Sequence, residues 1–143
     1  MSGQPGTPRN DAEKSPAIET ALAEMLREQE AVAQRRPAVR AAGVEALKRL
    51  LEIAQGDSGQ CRYVAGFLVG LYNGHRFKFD LTDFRALDSA IFRDCLAVLE
   101  MDQSPEQEVH RYFEGGQAIW EQLARDWNIP DYTHAHFDEQ APA

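Results

Sequence analysis

The spacing of apolar residues constrains the fold of this chain more than any other feature. From residue 17 to residue 130, apolar side chains recur three or four positions apart, in segments separated by short polar or glycine-containing links. An amphipathic helix produces this spacing, whereas a half-buried strand alternates. Short links favour antiparallel neighbours. The sequence therefore predicts an all-α fold: a small helical bundle of about four core helices and an N-terminal amphipathic arm.

The ends of the chain differ in character from its centre. Residues 1–16 are polar and rich in glycine and proline, which predicts a disordered leader. Residues 17–36 form the amphipathic arm, with its apolar row at Ile18, Leu22, Met25 and Val32, interrupted by Gln29. The arm is expected to end at Arg36, because a residue preceding proline is disfavoured in the α region. Residues 37–130 then form the helical core domain, and residues 131–143 a mobile tail that is acidic and contains histidine.

Local signals place the ends of the core helices. Gly56 predicts a left-handed cap after the second helix, and Asn73-Gly74 ends the third. Residues 76–80 read as an extended connector, with a short two-stranded ribbon as the alternative. Asp80 or Thr82 is expected to start one long helix that reaches Met101. The last helix is expected to start at the capping box Ser104-Pro105-Glu106-Gln107 and to run to Trp127, with Gly115-Gly116 kinking it or splitting it in two.

Charge and composition limit the compartment and the partners. The formal net charge is −8, and residues 101–143 hold nine acidic and two basic side chains. Such an acidic region repels phosphate and disfavours direct nucleic-acid binding. No apolar run reaches the roughly 18 residues of a membrane span, and the polar N-terminus is unlike a secretory signal. We therefore expect a cytoplasmic protein without membrane contact.

The sequence contains no familiar catalytic or cofactor motif. Neither a G-x-S-x-G elbow, nor a phosphate-binding loop, nor an H-E-x-x-H pair is present. Cys61 and Cys95 fall on apolar helix faces and are predicted to be buried structural thiols. No catalytic residue and no cofactor are therefore predicted, and a non-enzymatic role is favoured.

A metal site is a weaker alternative. Glu106, His110 and Glu114 are spaced four apart, and His134 and His136 could add ligands if the tail folds back. A Glu/His stripe on a helix is usually a solvated face, so no metal site is predicted.

A partner-binding surface is predicted at one turn and one acidic row. Asn73, Gly74, His75 and Arg76 form a tight turn that should require a left-handed backbone, and the Arg76 guanidinium suits two-point contact with a carboxylate. Three glutamates are expected to lie along one face of the last helix, where their charges would sum in one direction: Glu106, Glu114 and Glu121.

The centre of the chain resembles an uncharacterised family of small proteins. The resemblance covers roughly residues 38–115 and is carried by five segments: Leu71-Tyr72-Asn73-Gly74, Arg76-Phe77-Lys78-Phe79-Asp80-Leu81, Phe84-Arg85-Ala86-Leu87-Asp88, Asp94-Cys95-Leu96-Ala97-Val98-Leu99 and Glu108-Val109-His110. Proteins of this kind occur on proteobacterial plasmids and integrative conjugative elements. The resemblance implies a mobile-element accessory protein and supplies no catalytic residue.

Three hypotheses for the function follow. The first is a non-enzymatic protein-interaction module with a protein partner. The second is an acidic inhibitor of a host defence or DNA-processing complex, which would offer its acidic face to a basic groove. The third is a metal- or nucleotide-handling enzyme without a recognised motif.

Overall fold

A computed structural model describes residues 7–133, with side chains from residue 15 onward. The predicted all-α fold is confirmed, since no strand occurs among the residues described. The alternative of a ribbon at 76–80 is wrong, because residue 76 ends a turn and residues 77–80 belong to no strand. Two short 3-10 helices, Leu81–Ala86 and Val109–Tyr112, accompany four α-helices: α1 Thr7–Ala54, α2 Gly59–Tyr72, α3 Ser89–Asp102 and α4 Gly116–Asp126.

By its contacts the chain divides into two units, Met1–Pro37 and Ala38–Ala143. The only element described in the first unit is the corresponding part of α1, which already begins at Thr7. The predicted helix end at Arg36 is wrong, because Pro37 lies inside α1. A proline inside a helix removes one N–H donor and crowds the preceding turn, but it does not forbid helical backbone.

The second unit has a continuous apolar core. In the part of α1 that belongs to this unit, Gly43 lies directly against Met101 of α3. A Cβ added at Gly43 would lie 2.5 Å from the Met101 side chain. Helix α4 packs against α2. Trp120 is fully buried there, with its indole N–H donating to the Leu68 carbonyl at 3.0 Å. The largest buried side chains also include Leu47, Leu50, Phe77, Val98, Met101 and Val109.

The predicted long helix from residue 80 to residue 101 is wrong. Asp80 does cap a helix as expected, accepting from the Thr82 amide at 2.9 Å, but only one 3-10 segment follows. Leu87 and Asp88 are extended. The Asp88 amide donates to the Gln60 side chain at 2.7 Å, and the Gln60 amide group returns a bond to the Asp88 carboxylate at 3.0 Å. This two-way contact fixes the break before α3.

The last predicted helix is also shorter than expected. Residues 103–108 form a loop, so the capping box at Ser104 starts no helix, and α4 begins only at Gly116. Gly115-Gly116, predicted to kink this helix or split it in two, lies instead at its start, after the 3-10 helix Val109–Tyr112. Gly115 is left-handed, with φ 67°. A Cβ on Gly116 would lie 1.7 Å from the His110 carbonyl oxygen, so only glycine allows this approach.

The predicted left-handed cap at Gly56 is wrong. Within residues 7–133, Gly115 is the glycine with a positive φ. The Gly56 amide instead donates to the Ile53 carbonyl at 2.9 Å, closing the last turn of α1 more tightly.

Candidate functional site

The turn after α2 is held by the side chain of Asn73. Its Oδ1 accepts from the backbone amides of His75 at 3.1 Å and of Arg76 at 3.2 Å. Asn73 has φ −154°, and Gly74 is not among the residues with positive φ. The predicted left-handed backbone is therefore wrong, because a side-chain acceptor closes the turn instead.

Arg76 lies at the centre of a partly buried network of charged groups. Its guanidinium donates to both carboxylate oxygens of Glu121, at 2.5 and 2.9 Å, and through Nε to Asp131 at 2.9 Å. The Tyr72 hydroxyl adds a third bond to Glu121 at 2.6 Å. The Arg76, Glu121 and Asp131 side chains are 28%, 25% and 23% exposed, so water screens the network only in part.

The network shifts the protonation equilibria of its members. Hydrogen bonding from Arg76 lowers the pKa of Glu121 below its ordinary value, against the opposing effect of burial. Burial first, and then the bond to Glu121, raises the pKa of Tyr72. The bonds to Glu121 and Asp131 raise the pKa of Arg76, which stays charged. At neutral pH the network therefore holds one guanidinium between two carboxylates.

This pairing changes the interpretation of the predicted partner surface. Between the two predicted parts of the surface, the turn and the acidic row, the structure joins Arg76 to Glu121. The two-point contact expected between Arg76 and a partner is therefore made internally with Glu121. A cleft of about 440 Å³ lies beside the pair, with Phe77 and Ile129 among the residues lining it. Gly74 and His75 remain exposed.

The three glutamates do not form one acidic row. Glu106 lies in the loop after α3 and pairs with Arg40 at 2.8 Å, Glu114 lies exposed in the turn before α4, and Glu121 lies on α4 itself. The prediction of a common helix face is wrong because α4 starts ten residues after Glu106. The three charges therefore lie on three separate segments.

The histidine and cysteine predictions have separate outcomes. Glu106, His110 and Glu114 share no helix, and no group of three metal-ligating side chains forms among residues 15–133. His134 and His136 lie outside the described residues. Cys61 and Cys95 are buried as predicted. Burial raises the pKa of Cys95 to about 12, which keeps it a thiol.

An apolar groove on the second unit was not predicted. It has a volume of about 280 Å³ and lies between α2, the connector and α3. Its floor is an aromatic cluster in which Phe79 and Phe84 have ring centroids 5.0 Å apart. At its rim Leu81 is 74% and Leu99 38% exposed. The connector phenylalanines signalled burial, and Phe77 is buried, but nothing in the sequence showed that Phe79 would line an open surface.

The amphipathic arm presents the largest set of exposed apolar side chains on one element. Five are between 44% and 62% exposed: Ile18, Leu22, Met25, Leu26 and Val32. Ile18, Leu22, Met25 and Val32, which we call the apolar row, follow one helix face as predicted, with Leu26 on its flank. Within the described part of the first unit, no other element covers this face.

Comparison with known proteins identifies the family to which the second unit is related. Residues 44–128 match a family of unknown function, DUF7673. The chain belongs to this family. The search of curated proteins and the search of solved structures found no match. The DUF7673 region contains Arg76, Glu121 and the apolar groove, whereas the apolar row lies before it.

Proposed function

We propose that this protein is a non-enzymatic interaction module that pairs its N-terminal helix with an amphipathic helix of another chain. The observation that carries the proposal is the apolar row, whose side chains are roughly half exposed on a regular helix. No helix of the described residues is long and apolar enough to cross a membrane.

The energetics of isolated helices support a helical partner. Most of the stability of helices in proteins comes from packing of an amphipathic face rather than from intrinsic helix propensity. Burial of a large aliphatic side chain contributes about 1.5–3 kcal/mol, so half of that remains available at each half-exposed position. Covering Ile18, Leu22 and Met25 alone would therefore contribute roughly 3 kcal/mol before entropic costs.

The biological setting is proposed from the resemblance of residues 38–115. It supports an accessory protein carried on a plasmid or an integrative conjugative element, acting in the cytoplasm. The acidic-inhibitor hypothesis has less support, because Glu106 and Glu121 are occupied by Arg40 and Arg76. Of the predicted partner surface, Gly74, His75 and Glu114 remain the candidates for contact.

Affinity capture with matched variants tests the proposal. The full chain, its row variant Leu22→Ser/Met25→Ser, and the control Arg27→Ser/Gln34→Ser on the opposite helix face would be used as bait in lysate of the native host. Serine is introduced twice in each, so the loss of helix propensity is comparable. We expect the row variant to lose the captured chains and the control to keep them. Equal capture by the row variant would refute the proposal.

A further inference from the structure

We infer that the helix which covers the apolar row is the same helix of a second copy, in a parallel two-stranded coiled coil. This inference rests on the proposed function and names its partner. The first argument is the spacing of the row, which alternates strictly between four and three residues from Ile18 through Leu22, Met25 and Gln29 to Val32. That alternation has a period of 3.5 residues, which keeps a seam facing one neighbouring helix.

Gln29 is the second argument, because it is the polar residue in an otherwise apolar seam. With Ile18, Met25 and Val32 at heptad position d, Leu22 and Gln29 occupy position a. In a parallel dimer in register, each a residue faces its own counterpart, so Gln29 would face Gln29 of the partner subunit. One amide can then donate to the carbonyl oxygen of the other, so neither is buried without a hydrogen bond.

The same residue argues against other arrangements. In an antiparallel pair, position a faces position d, so Gln29 would lie against Ile18 or Met25 and its amide would have no partner. A helix of unrelated sequence would need a polar group of its own at the matching layer. A single polar residue at position a is a known determinant of register and of the dimeric state.

The residues flanking the seam agree with the parallel register. In a parallel coiled coil, each residue at position g faces the residue at position e that lies five positions later on the other helix. Ala21 would lie beside Leu26 of the partner subunit, and Glu28 beside the partner's Ala33. No like charges oppose each other at these two positions. Leu26, which flanks the row and is 62% exposed, would be partly buried against the partner helix. Thus a dimer accounts for an exposed leucine that the row alone does not explain.

The oligomeric state of the full chain tests the inference. The seam spans two heptads, so we expect a reversible dimer with a dissociation constant on the order of 1–100 μM by sedimentation equilibrium. Leu22→Ser/Met25→Ser should weaken it at least tenfold, while Arg27→Ser/Gln34→Ser should leave it unchanged. Gln29→Lys should also weaken it, because it places two charges opposite each other, whereas Gln29→Leu should keep it associated. Circular dichroism and melting of each variant report whether the second unit remains folded.

Disulfide trapping tests the orientation. Cys61 and Cys95 are buried, so an introduced cysteine is the accessible reporter. Gln29→Cys should form a disulfide-linked dimer rapidly in oxidised glutathione, whereas a mixture of Ile18→Cys and Gln29→Cys should yield few mixed dimers. Predominant mixed dimers would overturn the parallel arrangement.

A wild-type chain that stays monomeric to about 200 μM, or a dimer that the row variant leaves intact, would overturn self-pairing. Capture of a different chain that is lost in the row variant, together with a monomeric wild type, would overturn self-pairing while leaving the proposed function standing.

Discussion

Replacing Glu121 with glutamine measures what the Arg76 network contributes to the second unit, and Glu106→Gln is its matched control. Both glutamates pair with an arginine, but Glu121 is a quarter exposed and accepts three hydrogen bonds, whereas Glu106 and Arg40 are nearly half exposed and share one contact. Charge-assisted bonds contribute about 1.5–3 kcal/mol each when protected, and exposed pairs about 0–1 kcal/mol. Because glutamine keeps weaker neutral bonds, we expect Glu121→Gln to cost about 2 kcal/mol and Glu106→Gln at most about 0.5 kcal/mol.

Urea unfolding at neutral pH, followed by circular dichroism and by the fluorescence of Trp120 and Trp127, gives both values. The pH dependence supplies a second check. Because Arg76 lowers the pKa of Glu121 in the folded state, the stabilisation is complete above the ordinary glutamate pKa of about 4.3 and is lost as the pH falls through the lower folded value. The difference between wild type and Glu121→Gln should therefore shrink below about pH 4. A cost no larger than that of Glu106→Gln, or one independent of pH, would refute the reasoning.

Two further predictions concern α4. Gly116→Ala should lower the free energy of unfolding by more than about 3 kcal/mol, because the added methyl group would clash with the His110 carbonyl. At Gly115 an added methyl group has no neighbour, so Gly115→Ala should lower it by about 1–2 kcal/mol, through the strain of a left-handed backbone. Equal costs in urea unfolding would contradict this geometry. Trp120→Ala should cost about 3–5 kcal/mol through cavity formation, and Trp120→Phe less, by loss of the bond to Leu68. Unchanged stability of Trp120→Ala in the same assay would show that its ring contributes nothing to the core.

Apolar periodicity correctly predicted a helix such as α2, which buries one continuous apolar face. Cys61, Val64 and Leu68 were placed on one face of α2 and are buried there. The same periodicity did not reveal the break before α3, because Phe84, Leu87 and Ile91 continue the helical spacing across it. The break depends on a contact from a residue 28 positions earlier in the chain, which no local pattern contains.

Phe84 and Trp120 have separate ring partners in the core. The Trp120 ring contacts Phe113 at a tilt of 42°, while the ring contacts of Phe84 are with Phe67, Phe79 and Phe92. Packing of α4 on the preceding helix α3 would bring these two rings together, but α4 packs on α2. Order along the chain does not determine which helices are neighbours in a bundle.

For the candidate site, the sequence identified Arg76 and Glu121 as important charges but not as partners of each other. They are 45 residues apart, and their pairing follows from the packing of α4 against α2. The acidic row does not form because the capping box at Ser104 lies in the loop at residues 103–108 and starts no helix. A local cap signal is a preference of about 1 kcal/mol, which tertiary packing easily exceeds.

The ion pair between Arg76 and Asp131 sets a boundary for any autonomous fragment of this protein. The DUF7673 region ends at residue 128, yet Asp131 and the Tyr132 amide, which donates to the Arg76 carbonyl at 2.7 Å, both lie beyond it. A fragment cut at the family boundary would lose both contacts and leave Arg76 with Glu121 alone. The residues that stabilise this fold therefore extend beyond the family region. Recombinant fragments of the second unit should extend through Thr133.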